Sequence, residues 1–151
     1  MQDSIIRRAH IADLPALAAL EDASFVVDGV DRRAMAGFLR SAAAVVLLDE
    51  SAPHGLRGHL ILRFNARHRI ARVYSIAVAA QMQGQGVGRA LVAAAEAEAR
   101  ARGSERIRLE ISVDNLASQR LFKGCGYIVF GSYEDYYEDG GAALRLEKRL
   151  P

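Results

Sequence analysis

Val73-Tyr74-Ser75-Ile76-Ala77-Val78-Ala79-Ala80-Gln81-Met82-Gln83-Gly84-Gln85-Gly86-Val87-Gly88-Arg89-Ala90-Leu91 reads as a strand, a glycine-rich turn and the first turn of a helix. Tyr74, Ile76 and Val78 alternate with Val73, Ser75 and Ala77, and both sets are mostly apolar. A strand apolar on both faces belongs in the middle of a sheet. Gly84, Gly86 and Gly88 follow at every second position, where they allow a tight turn and close approach of a ligand to the backbone. The Ala-rich run from Val87 to Arg102 has high helix propensity. Its start presents unpaired N–H groups and the positive end of the helix dipole, which suits a phosphate or pyrophosphate.

Two common phosphate motifs fit poorly. A P-loop ends in Gly-Lys-Ser/Thr, whereas Arg89-Ala90 follows the last glycine here. The dinucleotide fingerprint G-x-G-x-x-G fails in both registers, which place Arg89 or Leu91 at the third position. Glu110 does lie at about the distance of a ribose-binding acid, so a nucleotide remains the weaker alternative. The pattern Gln83-x-x-Gly86-x-Gly88 fits without adjustment. It resembles the acetyl-coenzyme A signature of the GNAT superfamily of N-acetyltransferases.

Outward from this stretch, Gly103 closes the helix, with Arg100 and Arg102 at its negative end. Arg106 to Ile111 then alternates, with Ile107, Leu109 and Ile111 facing one way and Arg106, Arg108 and Glu110 the other. Strand, helix, strand at this length is a right-handed βαβ unit with parallel strands. Ligands bind such units beyond the carboxyl ends of the strands, where the glycine turn and Glu110 both map.

Upstream, Ser4 to Ala9 reads as a short strand, Leu14 to Asp22 as a helix and Arg32 to Ser41 as a second helix N-capped by Asp31. Ser24 to Gly29 is a loop in which Phe25 reads as a buried anchor. Ala43 to Leu48 and Leu56 to Phe64 form an antiparallel hairpin around the turn cluster Asp49 to Gly55. Asn65 to Arg69 is a polar loop whose Arg67, His68 and Arg69 read as solvated. Downstream, Asp114-Asn115 opens a helix ended by Gly124 and Gly126. Two strands, Tyr127 to Tyr133 and Ala142 to Leu150, close the chain around Glu138-Asp139-Gly140-Gly141.

The 151 residues suggest one domain, 51 % of them hydrophobic and 25 % charged. A formal charge of +2 is too balanced to argue for nucleic acid or a membrane surface as partner. The single cysteine, Cys125, excludes an internal disulfide and a Cys-based metal site, and reads as a small buried residue. No apolar run is long enough for a signal peptide or a span, so a cytoplasmic protein is expected, as monomer or homodimer, with no metal.

The resemblance extends over much of the chain. Leu109-Glu110-Ile111, then Asn115-Leu116-Ala117-Ser118-Gln119-Arg120-Leu121-Phe122 and Gly126-Tyr127, resemble the superfamily's L-E-V…N-x-x-A-x-x-L-Y…G-F/Y segment. Tyr136-Tyr137-Glu138-Asp139-Gly140, followed by Ala143-Leu144, resembles the tail of the ribosomal-protein alanine N-acetyltransferase branch. The resemblance implies an α/β (α+β) fold, a mixed sheet of about seven strands flanked by about four helices.

It also implies a set of roles. Backbone N–H groups of Gln83, Gly84, Gln85, Gly86, Val87, Gly88 and Arg89 would hold the coenzyme A pyrophosphate. Ile76, Ala77 and Val78 would run beside the pantetheine arm, with the Val78 N–H at the thioester carbonyl. Asn115 would hydrogen-bond the arm, and Phe122 belongs to the same surface. Arg120 and Lys123 read equally as phosphate neighbours or as solvated helix charges. Glu110 would be the general base; otherwise it balances Arg106 or Arg108. Phe122 departs from the family, which often has a tyrosine there to protonate the leaving thiolate. Three readings follow. Tyr133, Tyr136 or Tyr137 substitutes, with Tyr137 named beside Glu110 as the catalytic pair. A thiol of pKa about 8.5 needs no acid. Or the protein binds acetyl-CoA without acetylating. The expected cosubstrate is acetyl-CoA and the expected partner an amine acceptor, a protein or peptide N-terminus or a small molecule. A small-molecule amine acetyltransferase and a non-catalytic acyl-CoA-binding module are the rivals.

Overall fold

The computed structural model describes residues 4–25, 29–52, 54–65, 67–137 and 139–151. Val26, Val27 and Asp28 of the first loop, Pro53, Ala66 and Glu138 lie outside the described residues. Strands β1 (Ser4–Arg8), β2 (Ala44–Ser51), β3 (Gly55–Asn65), β4 (Ile70–Val78), β5 (Arg106–Ser112), β6 (Ile128–Tyr133) and β7 (Ala143–Arg149) form one mixed sheet. Its order is β1-β2-β3-β4-β5-β7-β6. The β4–β5 pair is parallel and the others are antiparallel. Four α-helices accompany it: α1 (Leu14–Ser24), α2 (Arg32–Arg40), α3 (Val87–Ala101) and α4 (Leu116–Gly124). None of the described helices is long and apolar enough to cross a membrane.

Alternation along the central strands divides the core between two layers. Val45, Leu47, Leu60 and Leu62 pack with Leu91, Val92, Ala95 and Ala99 of α3. Val46, Leu48 and Ile61 face the other way, against Leu17 of α1 and Met35 of α2. Asp31 caps α2 by accepting the Ala34 N–H at 2.8 Å. Gly103, at φ 81°, ends the α3 segment in the left-handed conformation, with the Ser104 N–H on the Ala99 carbonyl at 2.9 Å.

The turn expected to begin at Asp49 begins later, because β2 runs on to Ser51. Pairing outweighs polarity there. Asp49 is buried beside Arg57 at 3.1 Å, and Glu50 receives the Arg7 guanidinium from β1 at 2.8 Å. The strict alternation expected through Tyr74 also fails. Ser75 pairs with Ile61 and Val73 with Leu62, so Tyr74 is an extra residue in β4. This bulge sends both side chains toward the α1–α2 layer: the Tyr74 ring lies 4.7 Å from Phe38 of α2, and Ser75 bonds Glu21 of α1.

Candidate active site

The site arises where two parallel strands part. β4 and β5 pair over three positions only, Ile70 with Arg106, Ala71 with Ile107 and Arg72 with Arg108. Beyond them β4 stays with β3 and β5 stays with β7. The β5-facing edge of β4 from Val73 onward is therefore left without a strand neighbour. A chamber of about 220 Å³ fills the gap, lined by Tyr74, Ser75 and Ile76 on one side and Leu109, Glu110 and Ile111 on the other. Phe122 and Ser118 of α4 and Asn115 at its N-terminal cap also line it, with Phe25 and Tyr137.

A groove of about 620 Å³ continues from the chamber, with Phe25, Ile76, Asn115 and Ser118 common to both. Ile76, Ala77, Val78 and Gln83 line it, facing Ala16, Ala19 and Ala23 of α1 and Ala117 and Leu121 of α4. Small side chains on both walls leave room for an extended arm. Gly84 and Gly86 take φ of 79° and 82°, and Gly86 is the N-cap of α3. A Cβ at Gly88 would lie 3.0 Å from Leu121, so this glycine lets α3 pack close to α4. Gln85 and Arg89 are exposed at the turn, and the Arg89 guanidinium lies toward Gly124. Val87 is 2 % exposed and packs in the core, so only its backbone is free to serve a ligand. Ala77 is buried likewise.

Asn115 caps α4, its Oδ1 accepting the Ser118 N–H at 3.1 Å. Its amide nitrogen is left to donate to a ligand. Phe122 is wholly buried, edge-on to Tyr127 with centroids 5.2 Å apart, and forms the floor of the chamber. Phe25 is half-buried and lines both cavities, so it is wall rather than core anchor. Cys125 is part-buried, and desolvation pushes its thiol above the ordinary range, as suits a packing residue.

The Glu110 side chain is 6 % exposed. It is not balanced by Arg106 or Arg108, which turn to Glu147 at 3.4 and 2.9 Å. Its partners are Arg72 of β4, in direct ion pairing, and Arg145 of β7 at 3.8 Å. Both come from strands flanking β5, so no spacing along the chain announces them. Glu110 also lines a third cavity, of about 680 Å³, which shares no lining residue with the groove. Groove, chamber and third cavity therefore form a series, and Glu110 stands between the last two.

Of the three tyrosines weighed as substitute acid, the chamber takes Tyr137. The Tyr136 hydroxyl accepts a hydrogen bond from Arg72 at 2.9 Å, and Tyr133 stacks on Tyr136 with centroids 5.4 Å apart. Tyr137 stands edge-on to Tyr136 at 4.9 Å. Among the described residues no three His, Cys, Asp or Glu side chains gather in a way that could hold a metal ion.

Behind Ser75 lies a buried polar cluster that patterning did not reveal. Glu21 and His59 are both fully buried, 3.3 Å apart. Glu21 accepts from the Ser75 hydroxyl and, at 2.8 Å, from the Val30 N–H. Burial raises the Glu21 carboxyl above its usual range and pushes His59 down to about 4, so both directions favour a neutral pair. The cluster ties α1, β3, β4 and Val30 together under the chamber wall. The unfolded chain protonates His59 near 6.5, while the native state resists until about 4. Between these values the unfolded state binds more protons, so this contribution to stability falls as pH falls. Glu21, with a raised value, acts with the opposite sign. His59→Gln should therefore lose less stability than wild type between pH 6.5 and pH 4, by on the order of 2 kcal/mol. Denaturant titrations of both proteins at the two pH values measure this; equal losses would refute it.

The comparisons with known proteins agree with this architecture. A family model described as "Acetyltransferase (GNAT) family" matches residues 14–127. No curated protein matches the chain. Among solved structures, the ribosomal-protein-S18-alanine N-acetyltransferase of Escherichia coli is 22 % identical, with TM-score 0.86 over 98 % of this chain and 94 % of that one. Ard1 of Thermoplasma volcanium is 21 % identical, with TM-score 0.89 and 98 % of each chain covered. The spermidine N-acetyltransferase of Vibrio cholerae, solved with CoA and spermine, is 20 % identical, with TM-score 0.82 over 97 % and 95 %. At these identities the structural likeness speaks for the fold, whereas the family model spans most of the chain. The parted strands, the glycine turn at the head of α3 and the matched family model together make this chain a member of the GNAT acetyltransferase family, the acetyl-CoA-dependent acyltransferases.

Proposed function

We propose that this protein transfers the acetyl group of acetyl-CoA to a primary amine by direct attack, with Glu110 as general base. One observation carries the reading: a carboxylate stands between a chamber joined to the coenzyme groove and a second opening through which an acceptor can enter. The N–H groups of Gln83 to Arg89 hold the pyrophosphate, and the unpaired edge of Ile76 to Val78 lies along the pantetheine. The amine nitrogen attacks the thioester carbonyl; the C–N bond forms and the C–S bond breaks. Glu110 takes the amine proton directly or through water, and the leaving thiolate gains one from Tyr137 or solvent. A protein N-terminal α-amine is the favoured acceptor, on the resemblance of the Tyr136-Tyr137 segment; a small-molecule amine is the alternative.

The buried phenylalanine at 122 supports one rival, a module that binds acyl-CoA without turnover. Thiol release from acetyl-CoA against peptides with free N-termini, peptides with only lysine amines, polyamines and aminoglycosides separates the two. Acetylated product, confirmed by mass, establishes the enzyme; tight coenzyme binding with no product from any amine supports the module.

Tyr137→Phe tests the acid. With a leaving thiol of pKa about 8.5 the help is modest, and kcat should drop about tenfold at pH 7 with little change in the KM for acetyl-CoA. The deficit should shrink toward pH 9, where the thiolate leaves unaided. An unchanged kcat at pH 7 assigns the proton to solvent.

A further inference from the structure

The third cavity has a character of its own. The α1–α2 layer lies against β2, β3 and β4. Along β5 and β7 the strands carry charged side chains in place of that layer's apolar contacts. Four guanidiniums, of Arg63, Arg72, Arg108 and Arg145, line the cavity beside a single carboxylate, that of Glu110. The surplus of three exceeds the formal +2 of the whole chain. His68 of the β3–β4 loop is exposed, as expected of that loop, and also borders this cavity. A second member, Arg69, pairs with Glu105 at 3.3 Å instead.

Aromatic rings hold several of these cations in place. Arg145 lies over Phe130 and Tyr133, 4.6 Å from each centroid. Arg63 sits between Phe38 and Tyr74, at 6.0 and 5.7 Å. Among the described residues Arg63 meets no carboxylate. The Arg145 Nε is buried without a hydrogen-bond partner among the described residues, its contact with Glu110 being 3.8 Å. Guanidiniums held on rings, with donors unspent, are built to receive an anion. A site for a polyamine would need the reverse charge.

Resting on the acetyltransfer reading, we propose that the acceptor is a primary amine bearing a carboxylate near the amine. Arg63, Arg145 and His68 bind the carboxylate in the third cavity, and this places the amine at Glu110. An acidic peptide N-terminus and a free acidic amino acid share this chemistry. The site orients the amine by its anionic end, which sets specificity through KM more than through kcat.

The test measures kcat/KM with acetyl-CoA for four groups of acceptors. The first is a peptide series, Ala followed by two Asp, two Ser or two Lys. The second is free aspartate beside its diamide, the third glycine beside glycinamide, and the fourth spermidine. The Asp peptide, or aspartate over its diamide, should lead its neutral counterpart by about tenfold at low salt. The gap should narrow at 0.5 M salt. Arg63→Glu should bring the acidic-to-neutral ratio below about two, with the wild-type coenzyme Kd checking that the fold is intact. Preference in the peptide series alone identifies a polypeptide acceptor, and preference among the amino acids alone a small one. Equal or better rates with neutral or cationic amines overturn the proposal and leave the acetyltransfer reading standing. Acetylation of no acceptor, with acetyl-CoA bound, overturns both.

Discussion

Glu110→Gln should cut kcat by about a hundredfold or more while leaving the Kd for coenzyme A within about twofold. The amine must be unprotonated to attack, and an α-amine near pKa 8 or a lysine-like amine near 10.4 is mostly protonated at pH 7. In the proposed mechanism the Glu110 carboxylate removes that proton in the chamber; a carboxamide of the same shape cannot. The groove proposed for the coenzyme is lined by Ile76 to Gln81 and by α4, and Glu110 is absent from that wall. Substitution does free two guanidiniums, but Arg72 is 44 % exposed and keeps the Tyr136 hydroxyl, so the fold tolerates it. Activity of the variant should climb toward high pH, as solvent deprotonates the amine in place of Glu110. Isothermal titration with coenzyme A and steady-state rates from pH 6 to pH 10 check both halves. Wild-type kcat in the variant would falsify the role assigned to Glu110.

What could be read from residue order was whatever local patterning controls. The Ala-rich α3, the glycine turn before it and the alternation of Arg106 to Ile111 all announce themselves within a few residues, and the βαβ unit follows from their order. The parting of β4 and β5 does not. It depends on β7 claiming one edge of β5 and on β3 holding β4 through a bulge at Tyr74. Neither is encoded in a short window. For the same reason strand order offers only Arg106 and Arg108 as an alternative partnership for Glu110, whereas pairing across the sheet supplies Arg72 and Arg145. Nothing in the order of residues marks Glu21 and His59, because a polar residue in a helix or strand reads as surface until its tertiary partner is known. One missed residue did carry a signal. Gly58 sits inside Leu56-Arg57-Gly58-His59-Leu60, and a glycine in a strand interior marks a close approach of other atoms.

Gly58→Val should be among the most destabilising single changes in this chain, by about 3 kcal/mol, lowering Tm by roughly 6–12 °C. A Cβ at this position would lie 2.9 Å from the Ala77 carbonyl oxygen, 3.0 Å from Val87 and 3.1 Å from Leu91. The first contact is with backbone and cannot be relieved by a rotamer. The other two belong to the first turns of α3, the helix whose start carries the glycine turn. Relief therefore requires α3 to lift from β3 or β4 to shift at Ala77, and both movements disturb the site proposed for the coenzyme. The loss of stability should thus come with weaker coenzyme binding, measured well below the lowered Tm, and Gly58→Ala should show both effects in smaller measure. Gly37→Val makes a useful control, because a Cβ there meets nothing within 4 Å; it should leave coenzyme binding unchanged. A Gly58→Val protein that melts lower yet binds coenzyme A as wild type does would separate the packing of α3 from the geometry of the turn. If Tm and affinity fall together, the close seat that Gly58 provides is what holds the glycine turn beside the end of β4.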